Sequence, residues 1–350
     1  RMAWLPAAAE METPARMRLS VVVPVYNKAP FIEACFASIF SQSFADFEVV
    51  VVDDKSTDDS LHVLRSLRDD RLRIVALEKN LGPAGAAQRA MDLAQGEYIV
   101  RVDADDINLP HRFAHQVSHM DAHPELGASG GHLQLFGAET GLWKYPVGQD
   151  HCRSELLFGN PVVQGASILR TRLLREKNIR FEDHWPRIGE DWIFWARMAP
   201  HAEFDNLDEP LIQYRRGEQN SMHGQDHAAY RGVIIDEVFA MLGIPLSADQ
   251  RTLHLMGLRS FPQPPTGAAV RAFRGWLDEL RAINAIRRIF PAEAFEQRLQ
   301  RAWEELFFAL PRFGVATALA HYSTSPRKDS AHLLYLAKFT VNRWLGRNTR

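Results

Sequence analysis

The chain has 350 residues, 46% of them hydrophobic and 24% charged, with a formal net charge of −2. That length can bury a substantial core and suggests about two domains, and the charge balance gives no reason to expect a nucleic-acid partner. No apolar run approaches the roughly 18 residues needed to span a bilayer.

The opening Arg1-Met2-Ala3-Trp4-Leu5-Pro6 lacks the apolar core of a secretory signal and reads as a loose leader over 1–17, with Met11 or Met17 as candidate starts. Leu19 to Asn27 is a β-branched run closed by turn residues, hence a buried first strand. Phe31, Ala34, Cys35, Ser38 and Ile39 then recur at helical spacing. Phe47 to Val52 is a second strand ending at Asp53-Asp54, and Ser56 to Asp59 can cap a helix carrying Leu61, Leu64 and Leu67. Leu72 to Leu77, Gly85 to Ala94 and Glu97 to Val102 read as strand, helix and strand. This alternation calls for an α/β fold, a mostly parallel doubly wound sheet with helices on both faces.

From about Asp121 to Tyr214 the pattern is mixed, with Gly127 to Gly131 and Gly165 to Leu169 as small-residue strand edges. Beyond Ser221 the chain turns helical, entered through the hinge-like Phe261-Pro262-Gln263-Pro264-Pro265. Three amphipathic stripes follow: Val270, Phe273, Leu277 and Leu280; Phe295, Leu299, Trp303, Leu306 and Leu310; and Leu333, Ala337, Val341 and Trp344 with Ser330 as a cap. Residues 268–350 hold 14 Lys/Arg against 7 Asp/Glu, leaving −9 on residues 1–267. An acidic part that wants a cation thus precedes a basic helical part. Cys35 and Cys152 carry no metal spacing and read as buried small residues of a protein in a reducing cytoplasm.

The most informative segment is Asp103-Ala104-Asp105-Asp106, directly after a buried strand. Carboxylates this close repel unless a cation or proton offsets them. Oxygen ligands suit Mg²⁺ or Mn²⁺, which in turn hold diphosphates, and strand ends are where open α/β sheets place ligands. The competing reading is an acidic turn before the helix near Pro110.

Four ordered motifs decide between them. Val22-Val23-Pro24-Val25-Tyr26-Asn27, Asp46 to Asp58, Gly96 to Asp106 and Gly189-Glu190-Asp191-Trp192 together resemble the family 2 glycosyltransferases with the GT-A fold, over about residues 18–223. The resemblance implies a GT-A catalytic domain over 18–225, a helical region over 226–350, and inverting transfer from a nucleoside-diphosphate sugar. It implies that Pro24, Val25, Tyr26 and Asn27 contact the nucleotide, with Tyr26 on the base and Asp54 accepting from a pyrimidine imide. Asp105 is the implied metal ligand, with Asp103 on metal or ribose beside Ala104, and Asp106 supporting the turn. Asp191 is the expected general base, with its neighbour Glu190 as the alternative. For Asp54 and Asp191 a helix-capping role stands beside these readings, and for Tyr26 a place in the core.

Two positions depart from the family pattern. Ala87-Gln88 stands where many members carry Arg-Asn, which leaves the diphosphate contact to Arg89 or Arg101, and Lys55 replaces a common turn glycine. Tyr214-Arg215-Arg216 and Ser221-Met222-His223 resemble a loop that closes over the diphosphate, with His223 as a further phosphate or metal contact. The expected acceptor is a glycan or lipid-linked glycan, and surface polysaccharide or lipopolysaccharide synthesis the expected setting, on the cytoplasmic side. Arg271, Arg274, Arg281, Arg287 and Arg288, with Trp276 and Ile289, offer a peripheral contact with the inner face of the plasma membrane; packed helices with solvated basic faces are the alternative. A dehydrogenase is disfavoured because no Gly-x-Gly-x-x-Gly follows the first strand, and a nucleotidyltransferase because the glycine-rich basic loop is missing. A catalytically inactive relative that binds nucleotide sugar or a partner is the remaining alternative, disfavoured by the retained Asp54, Asp105 and Asp191.

Overall fold

The computed structural model describes residues 17–217 and 227–346; the leader over 1–16 and His223 lie outside the described residues. The first half alternates strictly: β1 (Leu19–Val25), α1 (Ala29–Phe40), β2 (Phe47–Asp53), α2 (Ser60–Ser66), β3 (Leu72–Ala76), α3 (Gly82–Leu93) and β4 (Tyr98–Arg101). β1 pairs in parallel with β2 and β4, and β2 with β3. Period-two alternation assigns the two faces of these strands. Val21, Val23, Val25, Val49 and Val51 pack with Phe36, Ile39 and Phe113, while Val22, Val50 and Val52 pack with Ala86, Ala90 and Met91 of α3.

The sheet continues through β5 (Ile107–Asn108), α4 (Arg112–Ala122), β6 (Leu126–Gly137), β7 (Gly141–Trp143), α5 (Gln149–Glu155), a 3-10 turn at Gln164–Ala166, β8 (Ile168–Arg170), α6 (Thr171–Glu176), α7 (Glu190–Met198) and β9 (Glu203–Arg216). Strand order is β3-β2-β1-β4-β8-β6-β9-β5, with β7 on β6. Of the small-residue runs expected at strand edges, Gly127 to Gly131 lies inside the sheet on β6, while Gly165 to Leu169 begins in the 3-10 turn and enters β8. β6 sits between β8 and β9, and a Cβ on Gly127 would meet Ala202 and Leu173 at 2.6 Å. Glycine there admits a close neighbour that any side chain would exclude.

The helices α8 (His227–Met241), α9 (Ala248–Gly257), α10 (Gly267–Arg287), α11 (Ala292–Ala309), α12 (Val315–Thr324) and α13 (Ser330–Trp344) complete the described chain. The first two stripes are buried as their spacing demands, and one apolar cluster runs from Val22 and Ala86 through Trp192 and Trp195 to Trp276, Trp303 and Leu310. A buried relay ties the helices to the sheet half. Trp276 Nε1 donates to His254 Nδ1 (3.2 Å), so His254 Nε2 carries the proton it gives to the Leu157 carbonyl (2.6 Å). Burial lowers the pKa of His254 to about 4 and keeps the ring neutral.

The third stripe differs from expectation. Leu333, Val341 and Trp344 point to solvent, Trp344 at 84% exposure, while Leu336 and His332 face inward and Asp329 rather than Ser330 caps the helix. Trp276, expected beside the basic residues of α10, is buried, and Arg281 is occupied by Asp278 and Glu296. Among the described residues no helix is long and apolar enough to cross a membrane.

Candidate active site

In the order β3-β2-β1-β4 the chain moves to one side of β1 and later returns to the other, so a crevice opens outside the carboxyl ends of β1 and β4. Three of the sequence motifs end there. A cleft of about 1360 Å³ is lined by Pro24, Val25 and Tyr26 at the end of β1, Asp54 after β2, and Asp103, Ala104 and Asp105 after β4. Glu190 and Asp191 also line it, with Arg231, Arg259, Arg298 and Arg301 from the C-terminal region.

Asn27 is not among the cleft-lining residues. At φ 52° its side chain accepts from the Thr57 N–H (2.8 Å) and donates to Thr57 Oγ1 (3.1 Å), so it fastens the turn after β1 to the turn after β2. Lys55 adopts φ 59°, the conformation for which a glycine was missed. Tyr26 is 46% exposed over the cleft instead of buried at the strand end.

The acidic turn is held by cations of the chain itself. Lys28 Nζ pairs with Asp105 Oδ2 (2.5 Å) and Arg101 Nη2 with Asp103 Oδ1 (2.9 Å). Arg101 is buried, not the surface charge a strand-end arginine suggests. Asp106 turns inward, where its Oδ1 accepts from the Arg215 N–H (2.8 Å) and its Oδ2 is buried without a partner. Burial, then Asp103 and Asp105, push its pKa well above the carboxylate range. Behind the turn, the fully buried Arg112 donates to the carbonyls of Arg101 (2.8 Å) and Ser167 (3.4 Å) and to Asn108. Gly165 closes the other side: a Cβ there would stand 2.3 Å from Asp103 Oδ2.

Asp54 faces the cleft with both oxygens engaged. The N–H groups of Leu81 (2.6 Å) and Gly82 (2.9 Å) donate to it at the start of α3, the capping role weighed from sequence. A carboxylate has about four lone-pair sites, so two remain for a ligand donor. Burial raises its pKa and the two amides oppose that rise.

Gly189 at φ +79° starts α7 and presses on Ile234 of α8, whose Cδ1 would be 2.4 Å from a Cβ. The left-handed glycine, not Asp191, is therefore the helix N-cap. Asp191 stands in the first turn, where its Oδ2 accepts from Asn160 Nδ2 (2.8 Å) and its Oδ1 from the Trp192 N–H (2.9 Å). Glu190 and Asp191 are both raised in pKa, in each case mainly by burial, and for Glu190 next by Asp191 itself. Such raised carboxylates in a cleft are suited to accept a proton near neutral pH.

Sequence reasoning missed Lys28, Asn160, Gly165 and Arg187. Arg187 lines the cleft within electrostatic reach of Asp54 and beside Gly82. Gln88 does not reach the cleft; it accepts from the Phe181 N–H and donates to Asp92. Arg89 is exposed and is not among the cleft-lining residues; Lys28 and Arg101 pair with the acidic turn, and Arg187 stands beside the start of α3. Of these, Arg101 is one of the two candidates named from the sequence, whereas Lys28 and Arg187 are identified only by contacts across the fold.

A doubly wound sheet with this acidic turn at its switch point, a helical C-terminal region and a carboxylate pair in the same cleft defines the GT-A glycosyltransferase class. The model of the family described as "Glycosyl transferase family 2" matches residues 20–177. The amylovoran biosynthesis glycosyltransferase AmsE of Erwinia amylovora is 30% identical over 207 residues, 57% of this chain and 76% of that protein. The chain belongs to glycosyltransferase family 2. Staphylococcus aureus TarS, solved with UDP-GlcNAc, shares the fold at a TM-score of 0.53 and 20% identity, over 95% of this chain and 93% of that one. The mannosyltransferase PcManGT of Pyrobaculum calidifontis, solved with GDP-Man and Mn²⁺, aligns at a TM-score of 0.50 and 20% identity over 94% and 81%.

The pKa of Glu190 yields a stability test. Because its folded-state pKa lies above the ordinary 4.5, ionised Glu190 opposes folding, and the cost grows as pH rises from that value. Glu190→Gln is expected to stabilise the protein by about 1–3 kcal/mol at pH 8 and hardly at pH 4.5. Urea unfolding at both pH values measures this; an equal effect at both rejects the burial of a raised carboxyl.

Proposed function

We propose that the protein is an inverting, metal-dependent hexosyltransferase that uses a nucleoside-diphosphate sugar, with a UDP-linked donor as the first choice. The observation that carries this reading is the convergence of Tyr26 and Asp54, Asp103 and Asp105, and Asp191 on one cleft. Tyr26 offers a ring face to the base, and Asp54 a free lone pair to an imide N–H. The bound UDP-GlcNAc of TarS supports uridine, while GDP-Man in PcManGT keeps guanosine as the second donor.

Asp105 and Asp103 supply oxygen ligands only, which suit Mn²⁺ or Mg²⁺, and the partnerless Asp106 oxygen beside them fits an added positive charge. These two residues would hold the ion, with His223 as a third ligand from outside the described residues. When bound, it would offset charge on the departing diphosphate. Lys28, which pairs with Asp105, would then be placed to pair with a phosphate oxygen. Across the cleft, Asp191 takes the proton of the acceptor hydroxyl as that oxygen bonds the anomeric carbon. The carbon–oxygen bond to the diphosphate breaks with its electron pair leaving on the phosphate oxygen. One base opposite one leaving group gives inversion. Asn160 fixes the Asp191 carboxylate for this role, and Glu190 is the alternative base.

The name of AmsE supports a role in polysaccharide assembly, and we extend this to surface polysaccharide or lipopolysaccharide built on a glycan or lipid-linked acceptor at the cytoplasmic side of the membrane. Contact with that membrane is assigned to α13, whose exposed Leu333, Leu334, Val341 and Trp344 accompany Lys338 and Arg343 with no acid between Ser330 and Leu345.

Three measurements test these assignments. Titration calorimetry with UDP and GDP is expected to show binding that strengthens with Mn²⁺ and loses that gain in Asp105→Ala; equal affinity with and without the ion rejects the metal assignment. Asp191→Asn is expected to keep nucleotide binding and lower turnover by about 10²–10⁴-fold. Unchanged turnover moves the base to Glu190, and no turnover in the parent protein across a nucleotide-sugar panel leaves a binding module. Flotation with anionic vesicles is expected to carry the protein and to fail for Trp344→Ser/Leu334→Ser; retained flotation removes α13 from the membrane reading.

A further inference from the structure

A second set of metal-ligating side chains lies on the far side of the acidic turn. β5 pairs antiparallel with β9, Ile107 opposite Gln213 and Asn108 opposite Ile212, and the Leu109 N–H extends the ladder to the Leu211 carbonyl (3.0 Å). Two residues further, the same register sets His111 opposite Glu209. α4 begins at once, so His115 stands one turn above His111, their ring centroids 4.7 Å apart. The Glu209 carboxylate offers one oxygen to each ring: His115 Nδ1 lies 2.7 Å from Oε1 and His111 Nε2 lies 3.7 Å from Oε2. One ligand atom from each of the three residues falls within 4.8 Å of the others.

We propose that His111, His115 and Glu209 bind a transition-metal dication of the zinc class, separate from the ion at Asp103 and Asp105, and that this ion clips β9 to the start of α4. Tetrahedral zinc with bonds of about 2.0–2.1 Å sets its ligand atoms about 3.3 Å apart, so side chains at 2.7–4.8 Å need to move by roughly an ångström. His115 is exposed, and the half-buried His111 would give up the contact of its Nε2 with the Pro210 carbonyl (3.3 Å) to make that adjustment. Two imidazoles and one carboxylate favour zinc, nickel or copper, whereas Asp103 and Asp105 favour the harder Mg²⁺ or Mn²⁺. Three protein ligands leave a fourth position for water. The clip acts on a strand that matters: beyond Gln213, β9 supplies Arg215, whose N–H holds Asp106 and whose Nε holds the Asp105 carbonyl (2.9 Å). An ion here fixes the register of the strand that supports the acidic turn.

The test uses the untagged chain, stripped with chelator and titrated with ZnCl₂ at pH 7.5. One zinc per chain is expected, together with a rise in melting temperature. His115→Ala and Glu209→Gln are each expected to weaken uptake by at least about tenfold, and Asp105→Ala to leave it intact. Because His115 is exposed, the metal-free melting temperature of His115→Ala should equal that of the parent, which separates a lost ligand from a damaged fold. His119 and His123 continue the stripe along α4 beside Asp205 and Glu125. Uptake that disappears with His119→Ala or His123→Ala but survives His115→Ala overturns the assignment, as does the absence of uptake at about tenfold molar excess of zinc or a parallel loss in Asp105→Ala.

Discussion

Five carboxylates, Asp103, Asp105, Asp106, Glu190 and Asp191, face or border a single crevice, and the structure around them is arranged to withstand their repulsion. Burial removes the water that would otherwise screen them. Compensation comes from three directions: Lys28 from the turn after β1, Arg101 from the end of β4, and Arg112 from beneath. Arg112 is the deepest of these. Its guanidinium is fully buried, and it joins the Arg101 carbonyl of β4, the Ser167 carbonyl before β8, Asn108 of β5 and Gln116 of α4. The same group that lowers the local negative potential also fixes how the antiparallel strands meet the parallel ones. Burial pulls its pKa down to about 9, and Asp106 and Asp103 oppose that change.

The acid pair follows from a similar constraint. Gly189 must be left-handed and bare for α7 to begin against Ile234, and that places Glu190 and Asp191 at the cleft. α8 is therefore part of the support of the acid pair as well as of the apolar core. α8 also adds Arg231 to the lining, the turn after α9 adds Arg259, and α11 adds Arg298 and Arg301, with Arg298 itself anchored to Glu155 at the end of α5 (2.6 Å). Part of the positive charge beyond residue 268, Arg298 and Arg301, thus lines the cleft.

The parallel half of the sheet was legible because buried parallel strands need β-branched runs, and those runs end in the acids that matter. The middle of the sheet was not. Gly127, Gly130 and Gly131 carry no hydrophobic signal, and what makes their strand central is close approach by Ala202, Val162 and Leu211, which no local pattern records. The same limit applies to the cations. Lys28 and Arg187 are ordinary basic residues in sequence, and only the fold turns them toward the cleft; Arg101 was one of two arginines the motif pattern left open. Asp54 was read as a ligand acceptor with capping as the alternative, and in the structure it caps α3 while facing the cleft. On α13 the helical period was right and its direction was wrong, because periodicity marks an apolar face without saying what covers it.

The pairing of Lys28 with Asp105 bears on the order of events in the proposed reaction. Both side chains are largely withdrawn from solvent, so a dication taking Asp105 would have to displace the Lys28 ammonium. A cation arriving alone therefore trades one compensating charge for another and leaves Lys28 without a partner. A cation arriving with a diphosphate does not, because the phosphate oxygens give Lys28 a new anion as Asp105 is released. In the proposed reaction metal and nucleotide would thus each improve the site for the other, and the coupling would be reciprocal by linkage. The acidic turn would in this sense be tuned for a metal–nucleotide pair by a lysine from the turn after β1.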